Sequence, residues 1–134
     1  MNTPAPLILL VDDDLDFTEM NRHVLEAQGF RVAVSHDPAE AWKAVEAETP
    51  ALIITDLMMK DLDSGFAFAR QVKDDPRTKE TPVIIVTSVS SQMGFDFRPR
   101  TPDDLAAMHV DAYFDKPASP EALIEKIKTL LARR

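Results

Sequence analysis

The stretch that decides the fold is LILLVDDDLD, Leu7 to Asp16, in which five apolar residues run straight into three aspartates, with a fourth two positions on. A continuous apolar run of this length is what a strand covered on both faces requires. The acidic tail repels itself, and carboxylates drawn toward a core resist ionisation unless a positive charge meets them. A cation, from the chain or from solution, is therefore expected at the mouth of this strand.

Four more β-rich runs follow: FRVAVS at 30–35, ALIIT at 51–55, VIIVT at 83–87 and AYFDK at 112–116. The runs at 51–55 and 83–87 are continuously apolar like the first. FRVAVS instead alternates Phe30, Val32 and Val34 with Arg31, Ala33 and Ser35, the pattern of an edge strand. Helical patterns separate them. Phe17, Met20, Val24 and Leu25 are expected to share a face, with Gly29 as the stop. Asp37 and Pro38 open a second helix with a stripe of Ala41, Trp42 and Val45. A third places Phe66, Ala69 and Val72 together before Pro76. The last follows Ser119-Pro120 and aligns Leu123, Ile124, Ile127, Leu130 and Leu131, with Arg133 and Arg134 at its negative end. Strand–helix units repeated in this way predict a doubly wound α/β domain, a parallel sheet with helices on both faces and a site at the carboxyl ends of the strands. The segment from Ser88 to Val110 is less regular. Its helix start falls at Thr101-Pro102-Asp103-Asp104, after a loop carrying Phe95, Phe97, Arg98 and Arg100. That loop reads first as a surface loop tucked on the sheet edge, and second as a contact surface for a partner.

With 134 residues, 45% hydrophobic and 28% charged, the chain has the size and balance of one globular domain, expected to span 1–134 without linker or repeat. The 15 basic and 23 acidic residues give a net charge of −8, which argues against nucleic acid and against an anionic membrane surface. No signal-peptide pattern opens the chain and there is no cysteine, so a cytoplasmic setting is the default and thiol or Cys-zinc chemistry is excluded.

At the carboxyl ends of the predicted strands stand Asp12, Asp13 and Asp14, then Asp56, then Thr87 and Ser88, then Lys116 and Pro117. Carboxylates gathered at one crevice suit Mg²⁺ or Mn²⁺, which keep positions open for phosphate oxygens. The cation and Lys116 would draw a phosphoryl group, Thr87 would donate to it, and Asp56 is placed to attack it.

This constellation resembles the receiver domain of two-component response regulators over essentially the whole chain, through LLVDDD, LIITDLMM, VIIVTS and YFDKP in the family's order. The resemblance implies a flavodoxin-like sheet of order 2-1-3-4-5. It implies a metal site of Asp12, Asp13, Asp56 and the backbone carbonyl of Met58, with Asp13 the direct ligand and Asp12 acting largely through water. It also implies Asp56 as phosphoacceptor, Thr87 as the switch hydroxyl, Lys116 as the phosphoryl-binding lysine and Tyr113 as the aromatic that turns inward. The implied partners are a sensor histidine kinase or histidine phosphotransfer protein and a downstream target protein, with a homodimer through the last strand and helix compatible with the sequence. No output domain is expected after LLARR, so the protein would be a binding switch rather than an enzyme with a diffusible substrate. Lys60 stands where the family usually has Pro, Ser64 adds a residue within DSG, and the Thr87–Lys116 interval is several residues longer than the family's usual one. Apolar Met58 and Val89 beside the site lead us to expect slow self-dephosphorylation. The rival reading is a phosphatase of the haloacid-dehalogenase type, since DLDFT at Asp14–Thr18 matches Asp-x-Asp-x-Thr with Asp14 as nucleophile. Against it, the nucleophile should follow its strand directly whereas Asp14 comes two residues later, no acidic pair follows Lys116, and Asp56 is left unexplained. Asp14 and Asp16 read more simply as helix-start residues, and His23, His36 and His109 show no ligand spacing.

Overall fold

The computed structural model describes residues 5–56, 64–87, 110–116 and 118–132, with side chains of 64–66 left aside. Its elements are β1 (Leu7–Val11), α1 (Leu15–Ala27), β2 (Arg31–Ser35), α2 (Pro38–Ala47), β3 (Leu52–Thr55), α3 (Ser64–Asp74), β4 (Val83–Thr87), β5 (Ala112–Asp115) and a last helix, α4 (Pro120–Ala132). All strand pairs are parallel and the order is β2-β1-β3-β4-β5, so the alternating strand is indeed at an edge.

The apolar runs of β1, β3 and β4 divide their side chains between two cores because successive strand residues point to opposite faces. Leu9, Val11, Ile53, Val83 and Ile85 meet Ala41 and Val45 of α2 and Phe68, Ala69 and Val72 of α3 on one face. Ile8, Leu10, Leu52, Ile54, Ile84 and Val86 meet Leu25 of α1 and Leu123, Ile127 and Leu130 of α4 on the other. This double cover explains why those strands carry no polar alternation.

Helix ends follow local chemistry. Asp14 and Asp37 cap α1 and α2 by accepting from the backbone N–H of Phe17 and Glu40. Helix α1 stops at Gly29, whose φ of 93° is the left-handed conformation; Phe30 N–H reaches back to the Leu25 carbonyl and Gly29 N–H to that of Glu26.

One helix face departs from the expected stripe. Met20 is 51% exposed, whereas Thr18, Asn21 and Leu25 are buried. The two polar residues can replace apolar ones because their donors are satisfied inside the helix: Thr18 Oγ1 donates to the Leu15 carbonyl and Asn21 Nδ2 to that of Phe17. The expected helix start at 101–104, the loop of Phe95, Phe97, Arg98 and Arg100, the Phe66 side chain, and Arg133 and Arg134 lie outside the described residues.

Candidate functional site

Sheet register carries the candidate residues to one rim. Val11 pairs with Thr55, so the next residues, Asp12 and Asp56, leave their strands side by side. Thr87 pairs with Asp115, so Lys116 follows at the same level. Backbone bonds continue each ladder one step: Asp12 N–H donates to Ser35 O at 3.1 Å, Asp56 N–H to Val11 O at 3.0 Å and Lys116 N–H to Thr87 O at 2.8 Å. Residues far apart in the chain are thus fixed on neighbouring strand ends before any side-chain contact is considered.

The side chains then converge. Lys116 Nζ donates to Asp12 Oδ2 at 2.8 Å and lies 3.6 Å from Asp56 Oδ2 and 3.9 Å from Asp14 Oδ2. Asp12 is 1% exposed, and its second oxygen accepts the Asp14 backbone N–H at 2.9 Å. Carboxylate oxygens of Asp12, Asp13 and Asp56 all lie within 4.8 Å of one another. The positive charge demanded by the aspartate run therefore comes in part from Lys116.

Lys116 alone does not neutralise these three carboxylates. Burial pushes the Asp12 carboxyl from 3.8 up to about 6, with the Asp56 charge adding to the rise and the hydrogen bonds from Lys116 and the Asp14 N–H working against it. At Lys116, burial opposes the charged form, but the bond to Asp12 and the fields of Asp12, Asp56 and Asp14 prevail and raise its pKa above the ordinary lysine value. An all-oxygen set of three carboxylates, one of them costly to ionise alone, fits a hard divalent cation.

Of the remaining candidates, Thr87 is buried at the end of β4. Tyr113 pairs with Ile85 and packs, half-buried, on the core under α2 and α3. Asp14 is different: its carboxylate accepts the Phe17 N–H and is 49% exposed, as a helix cap should be. Met58, Lys60, Ser88, Val89, His109 and Pro117 lie outside the described residues. Sequence reasoning missed Phe17 as a member of this neighbourhood; its ring centroid is 4.4 Å from Lys116 Nζ. Its position one turn after the acidic run was the available signal, masked by its equally good fit to the apolar helix face.

Residues 8–128 match the family model of the response regulator receiver domain. Response regulator Rre1 of Synechocystis sp. is 32% identical over 130 residues, an alignment covering 95% of this chain and 52% of that protein. The 14.6 kDa protein in the sodA1 3′ region of Leptolyngbya boryana is 32% identical over 131 residues, covering 96% of this chain and 92% of that one. Among solved structures, the chemotaxis response regulator CheY4 of Vibrio cholerae superposes with a TM-score of 0.79 at 25% identity, covering 94% of this chain and 98% of CheY4. The chain therefore spans about half the length of Rre1, the first of these relatives.

Proposed function

Because this chain belongs to the response regulator receiver domain family, whose members are phosphoacceptor switches in two-component signalling, we propose that Asp56 is its phosphoacceptor and that Lys116, Thr87 and the acidic pair Asp12–Asp13 serve the transfer. The observation carrying this reading is the Lys116 ammonium held between Asp12 at 2.8 Å and Asp56 at 3.6 Å, from three different strand ends.

The donor is a phosphohistidine of a sensor kinase or phosphotransfer protein. An Asp56 carboxylate oxygen attacks phosphorus while the nitrogen–phosphorus bond breaks. The bond's electron pair leaves with the imidazole nitrogen, which takes up a proton, and an acyl phosphate remains on Asp56. Lys116 offsets the charge on the transferring oxygens from a fixed position, so little reorganisation accompanies transfer. A bound Mg²⁺ or Mn²⁺, held by Asp12, Asp13, Asp56 and the Met58 backbone carbonyl, would supply further neutralisation of those oxygens. Thr87 then donates its hydroxyl to the phosphoryl group, and Tyr113 follows inward, biasing an existing two-state equilibrium toward the form that a downstream target protein recognises. No helix of the described residues is long and apolar enough to cross a membrane, which suits a cytoplasmic switch.

The haloacid-dehalogenase reading is not favoured: Asp14 caps α1 instead of following a strand directly, and the family match is to receivers. The test is intact-mass spectrometry after phosphoramidate and Mg²⁺ treatment. One added phosphoryl group on wild type, absent with EDTA and absent in Asp56→Asn, supports the reading; equal modification of Asp56→Asn overturns it.

A further inference from the structure

We propose that Phe17 is a positioning residue for Lys116, its ring helping to hold the ammonium between Asp12 and Asp56 and away from the outward carboxylate of Asp14; this rests on Lys116 serving the phosphoryl group at Asp56. A lysine side chain is a long, flexible stem whose charge can be satisfied by any of several anions in reach. Among the described residues three compete: buried Asp12 at 2.8 Å, Asp56 at 3.6 Å and Asp14 at 3.9 Å. Asp14 is the hydrated choice, with its side chain 49% exposed while that of Lys116 is 15% exposed. An ammonium drawn to Asp14 leaves the acceptor carboxylate.

The Phe17 ring gives the ammonium a further hold where it stands. Its centroid lies 4.4 Å from Nζ, within the range where the ring face attracts a cation, and attraction grows where water is excluded. The backbone that carries the ring is itself fixed from two sides. The Phe17 N–H donates to Asp14 Oδ1 at 3.1 Å, and its carbonyl accepts from buried Asn21 at 2.9 Å. Its side chain, partly buried, packs against the core that the sheet makes with α1 and α4. The residue that would divert the lysine thus also holds the backbone from which the restraining ring extends.

The experiment compares rates of Asp56 phosphorylation by saturating phosphoramidate and Mg²⁺ in wild type, Phe17→Leu, Phe17→Tyr and Phe17→Leu/Asp14→Asn. Phe17→Leu keeps most of the apolar packing and removes the ring face; its rate is expected to fall about fivefold, with Phe17→Tyr retaining the wild-type rate. Adding Asp14→Asn, which still caps the helix but no longer attracts the lysine, is expected to restore the Phe17→Leu rate. In NMR spectra the Lys116 ε-methylene protons should carry an upfield ring-current shift that Phe17→Leu abolishes. A wild-type rate in Phe17→Leu, or a loss that Asp14→Asn does not relieve, overturns the proposal. Failure of the underlying reading looks different: Lys116→Ala would then be phosphorylated as fast as wild type.

Discussion

Asp12 makes the protein's stability depend on pH in a direction opposite to that of most carboxylates. Its pKa rises from 3.8 unfolded to about 6 folded, so between these values the folded chain holds a proton that the unfolded chain has lost. The stabilisation is fully present below pH 3.8 and is lost as pH rises through 6. A difference of about two pKa units corresponds to about 3 kcal/mol. The perturbation is Asp12→Asn, which removes the titration while keeping the side chain's size. Urea unfolding of both proteins in EDTA, from pH 4 to pH 7.5, isolates the effect because other titrating groups largely cancel in the difference. Wild type should lose about 2.5 kcal/mol relative to Asp12→Asn across this range, the rest being lost already below pH 4. Added Mg²⁺ should reduce that loss above pH 6, and Mg²⁺ affinity should weaken by up to about tenfold per pH unit below 6 as the carboxylate protonates. A flat difference, or a wild type that gains relative stability toward neutral pH, would refute the reasoning.

Lys116→Ala should cost about 1–2 kcal/mol at pH 7 without metal, because Asp12, its partner gone, takes up a proton instead of staying charged and buried. It should also slow phosphoramidate-dependent modification by roughly a hundredfold, read by quenched-flow mass spectrometry. Asp14→Asn should leave modification of Asp56 intact and change stability by less than about 0.5 kcal/mol, since Asn caps as well as Asp; loss of modification would revive Asp14 as a nucleophile. Phe68→Ala, at a fully buried position, should cost about 3–5 kcal/mol in urea unfolding. Met20→Gln should fall within about 0.5 kcal/mol because Met20 faces water.

The sheet was legible because three of its strands have no polar alternation to confuse the period and β2 has a clear one. Once strand order is set, register alone brings Asp12, Asp56, Thr87 and Lys116 to one rim, and this is why the candidate site could be read from strand ends. Helix α1 was harder. Its buried face uses Thr18 and Asn21, which reach inward only because each donates to a carbonyl of its own helix, while apolar Met20 is left outside. Hydrophobic periodicity counts side chains and cannot see a local hydrogen bond. The approach of Phe17 to Lys116 was equally hidden, since it depends on the long Lys116 side chain reaching from the end of β5 to the first turn of α1 rather than on any spacing along the chain.

Reductive trapping offers the most direct check on Asp56 as the acceptor. After phosphoramidate and Mg²⁺ treatment, borohydride converts an aspartyl phosphate to homoserine, which peptide sequencing by tandem mass spectrometry then locates. Homoserine at position 56, and not at 12, 13 or 14, is the expected result. Homoserine at any of those three positions, with Asp56 unmodified, would contradict the account.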